Sequence, residues 1–309
     1  HGIQRLPIYV KRIQKGVVNP KPLVRITQGS PSSISVDGDS GMGFVVASKA
    51  TDEAIQIARE QGLGLAGVRN STHFGCSAHY VQQALDAEML SLVFTNSSPA
   101  LPPHGGAKAL LGASPFAAGA PGGFESPPFL LDMSTTVIAR GKLRLASQRG
   151  EEIPENVGLD KFGRPTRDGM EAFHGVTLPF GGAKGAALSL LMEILAGALT
   201  GSNFAGQVRS LYNDFEAPQD VGHFILVIRP DLFLGSLDEF KNRMDFLTKT
   251  IKAQPKAEGV EEILLPGEPE SRSEQLLSQQ GVPLQADVAE SLVQLGSELG
   301  VYFPAAKSS

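Results

Sequence analysis

The chain has 309 residues, of which 27 are basic and 32 acidic, for a formal net charge of −5. With 41% hydrophobic and 19% charged residues, it can bury a sizeable core as one large domain or two modest ones, which excludes a disordered tail or a membrane protein. The acidic balance argues against nucleic acid and anionic lipid as partners. No run of 18 apolar residues offers a spanning helix, and the one cysteine, Cys76, excludes an internal disulfide framework or a zinc ribbon.

The 35 Gly and 21 Pro make up about 18% of the chain, against roughly 12% in ordinary globular proteins, and no repeat explains the surplus. It belongs in loops and turns. The chain begins His1-Gly2-Ile3-Gln4-Arg5, with neither Met nor a signal peptide, so a leading segment is expected before it.

In chain order, Gly29 to Gly43 is rich in Ser, Gly and Asp and suggests loop and short strand. Lys49 to Gln61 places Ala54, Ile57, Ala58 and Gln61 at helical spacing, with Thr51 or Asp52 as the cap. Leu63 to Val68 suggests a short strand, Gly75 to Met89 a helix, and Leu90 to Thr95 a compact strand. Leu110 to Gly123 is small and apolar. Phe129 to Met133 is a strand, and Asp132 with Ser134 to Thr136 could bind ribose hydroxyls or cap a helix over Thr135 to Leu145. Glu151 to Thr166 suggests an exposed loop or hairpin. Ala186 to Leu199 is apolar nearly all round, which predicts a buried helix. Gly222 to Ile228 predicts a buried strand, Leu237 to Ala253 an amphipathic helix, and Gly281 to Leu299 one or two last helices; Pro304 to Ser309 is expected to fray. The elements lack the regular alternation of a doubly wound sheet.

Gly62, Gly64 and Gly67 match G-x-G-x-x-G, but a dinucleotide fingerprint must follow a strand and open a helix. Here a helix comes first, so a glycine-rich helix stop is expected. Pro179 to Gly185 (PFGGAKG) is a better anion site. Its glycines let backbone N–H groups approach a phosphate or carboxylate, the following helix adds partial positive charge, and Lys184 adds a full one. A plain glycine-rich helix entry fits the same spacing. Of the six histidines, His73 lies in a polar cluster, Asn70 to Gly75, between a strand and a helix, where a scaffold presents acid/base groups. Ordinary packing or surface placement also accounts for any single histidine. His79, Asp86 and Glu88 complete no metal motif, and no metal is expected. His223, within an apolar strand, is expected to be a satisfied core or interface histidine. Ile263 to Glu268 with Arg272 could bind a ligand or simply turn.

Taken in order, His1-Gly2-x-x-Arg5, Asn70 to Gly75, Leu111 to Pro121, Leu131 to Thr136, Ala139 to Lys142, Pro179 to Gly185 and Leu265 to Glu268 resemble the malate/L-lactate dehydrogenase family across essentially the whole chain. The family includes ureidoglycolate and sulfolactate dehydrogenases, 2,3-diketogulonate reductase and delta-1-piperideine-2-carboxylate reductase. The resemblance implies NAD- or NADP-dependent hydride transfer on a non-Rossmann, mixed α/β (α+β) fold with a largely antiparallel or mixed sheet. It implies a cofactor-binding domain over 69–229, inserted in a substrate and dimerisation domain formed by 1–68 and 230–309. It further implies a cytoplasmic homodimer with the active site in a cleft near the subunit interface, acting on a small anionic carboxylate.

The same resemblance assigns the site. His1 matches the histidine of a Ser-His-Gly motif whose serine would precede this chain, and Arg5 matches the arginine that grips the substrate carboxylate. His73 matches an acid/base histidine and also borders the cofactor with Phe74, Gly75 and Ser77. Ser97, Leu131, Asp132, Met133, Arg140, Gly141, Gly182, Lys184, Pro266, Gly267, Glu268 and Arg272 match cofactor contacts. Two departures stand out. Ala113 replaces a threonine that would touch substrate, and Lys142 replaces the aspartate of a Ser-His-Asp relay found in cyclic imino-acid reductases. A lysine would polarise a carbonyl or stabilise an alkoxide, which favours 2-oxo/2-hydroxy acid interconversion. The alternatives are cyclic ketimine acid reduction, towards which Pro103 to Gly105 and Leu178 to Gly182 point, and a non-catalytic ligand-binding protein on the same scaffold.

Overall fold

The computed structural model describes residues 2–303, apart from the side chain of Arg140. The expectations for His1 and for Pro304 to Ser309 lie outside the described residues. In chain order the elements are α1 (Leu6–Gln14), β1 (Arg25–Ser30), β2 (Ser33–Asp37), α2 (Gly43–Gln61), β3 (Leu63–Ser71), α3 (Ala78–Asp86), β4 (Leu90–Thr95), β5 (Pro99–Leu101), β6 (Leu111–Gly112), β7 (Phe116–Ala120) and β8 (Phe129–Met133). Then come α4 (Arg140–Arg149), β9 (Gly158–Leu159), α5 (Gly169–His174), β10 (Val176–Thr177), α6 (Ala183–Glu193), β11 (Val221–Ile228), α7 (Leu237–Lys252), α8 (Glu268–Gln280) and α9 (Ala286–Leu299).

Among the described residues, seven strands form one sheet in the order β1-β2-β3-β11-β4-β7-β8. β2 and β3 pair parallel, and the other neighbours pair antiparallel. This is the largely antiparallel, mixed sheet expected of a non-Rossmann fold. The proposed 68/69 boundary falls inside β3, and β1 and β2 share the sheet with β4, β7 and β8, so the sheet itself does not divide there.

The period-2 alternation of β3 gives the sheet two different faces. Ala66 and Val68 face a core shared with Val46, Ala50, Ala54 and Ala58 of α2 and with Tyr80, Val81 and Ala84 of α3. Burying each Val or Ile here contributes about 1.5–3 kcal/mol. Gly64 lies on that same face. A Cβ there would be 2.0 Å from the Ala54 carbonyl oxygen, so only glycine admits α2 this close. Gly67 faces the other way, towards Thr200. Gly62, with φ of 86°, closes α2 by returning its N–H to Ala58. The G-x-G-x-x-G run is therefore a helix stop and a packing device, as its order in the chain indicates.

Several elements differ from expectation. α2 begins at Gly43 rather than near Lys49, with Met42 at its cap. Thr51 lies inside the helix, its hydroxyl donating to the Ala47 carbonyl. Arg25 to Asp37 forms a hairpin, with β1 largely exposed. The helix after β8 starts at Arg140, so Thr135 precedes it, and Asp132 caps no helix of its own segment. α6 gives way to a π-helical turn over Ile194–Ala198. In the single chain Leu190, Leu191, Ile194 and Leu199 are exposed, so this segment is not the buried helix its apolar pattern predicts. Its inner side packs on β11 and β4.

Candidate functional site

The end of β3 and the turn after it, Asn70 to His73, are held at every residue. The Asn70 N–H donates to Asp220 Oδ1 at 2.8 Å, and Ser71 Oγ pairs with His223 Nε2 at 2.9 Å. Thr72 Oγ1 donates to the Gly41 carbonyl and accepts the Gly43 N–H. The His73 N–H donates to Gln219 Oε1 at 3.3 Å, while Gln219 Nε2 donates to the Arg209 carbonyl. Asn70 and Asp220 both adopt left-handed backbone, with φ of 52° and 51°. Such strain persists where surrounding contacts over-determine it.

The imidazole of His73 meets α1. Its Nδ1 lies 2.8 Å from the Tyr9 hydroxyl and accepts the Gly75 N–H at 3.2 Å. Burial first, and then the charge of Arg5, push His73 down to about 3, so the ring is neutral at ordinary pH. Arg5, one turn before Tyr9, stacks its guanidinium 5.3 Å above the Tyr212 ring. Burial lowers its pKa, and its Nε is buried without a hydrogen-bond partner. An orphaned donor of this kind is open to an acceptor such as a carboxylate; Arg12 Nε and Nη2 are buried without a partner as well. Arg12, buried in the same helix, donates from Nη1 to the carbonyls of Ser210, Leu211 and Asp214. It anchors α1 to the loop that carries Tyr212 and leads to Gln219.

His223 is the satisfied core histidine expected. Besides Ser71, its Nδ1 lies 2.8 Å from the Thr95 hydroxyl. The ring of Phe74 stacks on it at 4.5 Å and on Tyr80 at 4.8 Å, so that ring belongs to the core.

A second cluster gathers at the start of α3. Asp132 Oδ2 accepts the Ala78 N–H at 2.8 Å and the Cys76 thiol at 3.2 Å. Burial and Asp132 both raise the thiol pKa. Next to these, Ser77 Oγ is buried without a partner. Leu131 and Met133 flank Asp132 on β8, half-buried.

A third cluster joins the Ala113 loop to the PFGGAKG segment. The Ala113 carbonyl accepts both the N–H and the hydroxyl of Thr135, and the Thr135 carbonyl accepts the Phe180 N–H. Thr136 pairs with Pro179. Ser97 Oγ accepts the Ser114 N–H at 3.4 Å; Ser114 is buried with φ of 29°, its hydroxyl unpartnered. Gly181 and Gly182 take positive φ, and a Cβ on Gly182 would meet nothing within 4 Å. Lys184 is exposed in the first turn of α6. Glu193, at the far end of α6, accepts the Gly112 and Ala205 N–H groups, and burial raises its pKa.

Pro266 and Gly267 lie against β8, since Leu130 donates its N–H to the Pro266 carbonyl. Gly267 has φ of 96° and little room for a Cβ beside Leu130. The charged neighbours are already paired within the chain: Glu268 with Lys252 and the Leu265 N–H, and Arg272 with both Glu262 oxygens. Gly141 and Lys142 lie on the exposed side of α4, held through Leu143 to a small satellite core with Ile153, Val157 and Ala172. Among the described residues, no hydrogen bond links the Tyr9–His73 pair, on which Arg5 acts through its charge, to Lys142. Tyr9, Arg12, Glu193, Gln219 and Asp220 carry the site without having been singled out in the sequence. Tyr9 alone had a local signal, four residues after Arg5 and so on the same helix face.

The residues fit a nicotinamide dinucleotide. An open glycine turn with a lysine at a helix start suits phosphate, and the Asp132 carboxylate suits a ribose hydroxyl. Among the described residues no group of three His, Cys, Asp or Glu side chains could hold a metal ion, and no helix is long and apolar enough to cross a membrane.

An orphaned arginine donor beside a neutral, hydrogen-bonded imidazole, together with an open glycine turn, is compatible with an NAD(P)-dependent oxidoreductase of 2-hydroxy acids, and that is the class to which the named relatives belong. Residues 1–293 match the malate/L-lactate dehydrogenase family, and the chain belongs to it. It is 38% identical to the L-sulfolactate dehydrogenase of Methanocaldococcus jannaschii over 97% of this chain and 86% of that protein. The solved structure of that enzyme superposes with a TM-score of 0.91. The malate dehydrogenase of Pyrococcus abyssi is 37% identical, covering 97% of this chain and 84% of that protein. The ureidoglycolate dehydrogenase (NAD(+)) of Escherichia coli K12 is 33% identical, covering 95% and 83%.

Proposed function

We propose that this chain reduces a small 2-oxo acid to its 2-hydroxy acid, and runs the reverse reaction, at the Arg5–Tyr9–His73 cluster. The buried, unpartnered Nε of Arg5, whose charge also acts on His73, carries the reading. Arg5 takes the substrate carboxylate through its planar fork, which sets the C2 oxygen against His73. The bound nicotinamide supplies hydride at C2. His73 exchanges the proton with the C2 oxygen, His1 is the second candidate for that exchange, and Lys142 steadies developing negative charge there. Ala113 borders the substrate without offering a hydroxyl. Asp132, Ser77, Ser97 and Gly181 to Lys184 hold NAD or NADP, together with Phe74, Gly75, Leu131, Met133, Arg140, Gly141 and the 266–272 segment. For Glu268 and Arg272 the side-chain pairs described above favour contact through their backbone.

The relatives' substrates, sulfolactate and malate by name, suggest a substrate with a second anionic group. The exposed apolar side of α6 and its π-helical turn, Leu190, Leu191, Ile194 and Leu199, supports a homodimer. The lone cysteine suits a reducing cytoplasm. The cofactor-binding domain over 69–229, inserted in a substrate and dimerisation domain of 1–68 and 230–309, stays part of this reading. The deciding assay is oxidation of NADH and of NADPH with pyruvate, oxaloacetate, sulfopyruvate, glyoxylate and piperideine-2-carboxylate. Turnover on 2-oxo acids supports the reading, turnover on the imine alone replaces it with ketimine reduction, and no turnover with either cofactor removes it.

A further inference from the structure

We propose that Tyr9 is the outer donor of a proton relay, giving its phenolic proton to His73 Nδ1 as His73 Nε2 gives its own to the substrate C2 oxygen. The inference rests on the reading above, in which His73 faces the reacting carbonyl. Two contacts define the geometry. The Tyr9 oxygen is 2.8 Å from Nδ1, and the Gly75 N–H reaches the same nitrogen at 3.2 Å. A backbone N–H can only donate, so Nδ1 carries the lone pair, the Tyr9 hydroxyl also donates to it, and the ring proton resides on Nε2.

A histidine that protonates an alkoxide as imidazolium must first be charged. His73 resists that charge because it is buried and faces Arg5. The relay avoids the imidazolium. As hydride adds to C2, the C2–O π bond opens and the oxygen takes the proton from Nε2. The Nε2–H bond breaks, the Nδ1–H bond forms, and the Tyr9 O–H bond breaks. The imidazole is neutral before and after with its tautomer reversed, and the net charge lands on the Tyr9 phenolate. Burial raises the Tyr9 pKa above its ordinary value, and the charge of Arg5 opposes part of that rise, so Arg5 is the cation placed to stabilise the phenolate. Solvent then returns a proton to Tyr9. The reversed tautomer leaves the Gly75 N–H facing an N–H, so the ring resets to its starting form. Oxidation of the hydroxy acid runs the same transfers backwards from the phenolate. The Tyr9 ring is held for this by an edge contact with Phe44 at 5.6 Å, and α1 is held by Arg12.

Tyr9→Phe removes the hydroxyl and keeps the ring. In the full chain labelled with 15N-histidine and free of cofactor, His73 Nδ1 is expected to show an unprotonated resonance and Nε2 a protonated one. Tyr9→Phe should move the Nδ1 resonance without exchanging the two. An unprotonated Nε2 in the parent chain overturns the relay. In turnover with the best 2-oxo acid, Tyr9→Phe is expected to lower kcat about 100-fold with KM changed less than about twofold. It should also turn a curved, two-proton solvent-isotope inventory into a linear one. A kcat within about twofold of the parent, or a loss confined to KM, overturns the relay. His73→Ala separates the two levels. If it abolishes turnover while Tyr9→Phe does not, only the relay fails; if neither variant matters, the assignment of His73 fails as well.

Discussion

In the proposed reaction Arg5 is the residue that grips the substrate carboxylate, through an Nε that is buried with no hydrogen-bond partner. Lysine preserves the charge at that position but not the planar fork. Arg5→Lys is therefore expected to raise KM for a 2-oxo acid roughly 10- to 100-fold, since a hydrogen bond to a charged group is worth about 1.5–3 kcal/mol, and to lower kcat less. Steady-state kinetics with the carboxylate substrate checks this, and an unchanged KM would place the carboxylate elsewhere. Gln219 acts one step further out, through the backbone of His73. Gln219→Leu leaves the His73 N–H and the Arg209 carbonyl without their partner. The expected outcome is about 1–3 kcal/mol less stability and a kcat about tenfold lower at unchanged KM. If stability drops while kcat holds, Gln219 is a structural group only. The sequence marked His73, Asp132 and Lys184 because each lies in a distinctive local run. Gln219, Asp220 and Glu193 lie in no such run: their bonds to the site span 146, 150 and 81 residues. No local spacing reports a contact of that range.

Among the elements, those whose signal is complete within the segment were legible. β4 and β8 match their expected bounds, and α7 matches to within a residue. α8 was not legible as a helix, being polar, without a buried residue, and preceded by Pro and Gly that also suit a turn. The burial of α6 is not legible because a segment that is apolar nearly all round does not say which of its sides the core covers; Leu190, Leu191, Ile194 and Leu199 are exposed. The start of α2 was missed for a different reason. Gly43 suggests a loop until the strand beside it is known. A Cβ on Gly43 would lie 2.1 Å from the Thr72 carbonyl oxygen and 2.6 Å from that of His73. Both atoms are backbone, so they cannot rotate away. Gly43→Ala is expected to cost about 1–3 kcal/mol by overpacking and to displace the His73 loop, so that kcat falls with the melting temperature. Gly75→Ala is the control: a Cβ there meets nothing within 4 Å, and its cost comes from the positive φ of 82° alone. Thermal melts of both variants beside their kinetics separate collision from backbone strain.

Across the whole molecule, the buried histidines link the fold to pH. His73 and His223 are both pushed down to about 3, burial being the largest cause in each. The unfolded chain binds their protons near 6.5 and the folded chain does not, so between about pH 6.5 and 3 the unfolded state carries more protons. Stability therefore falls as pH drops through that window. For the fully buried His223 the loss between pH 7.5 and pH 5 is about 2 kcal/mol. The carboxylates contribute in a different window. Asp37, Asp160, Asp214 and Asp245 are held below their ordinary value by backbone N–H donors, side-chain donors and nearby arginines, against the opposing effect of burial. Their share is present above about pH 4 and is lost only below it. Glu193, raised by burial, has the opposite sign and stabilises the fold slightly as it protonates. Urea unfolding at pH 7.5 and pH 5 thus isolates the histidines. The parent chain is expected to be markedly less stable at pH 5, and His223→Gln to show a smaller drop between the two pH values even though it starts from a lower stability. An equal drop in both chains would mean that the acid-sensitive group lies elsewhere.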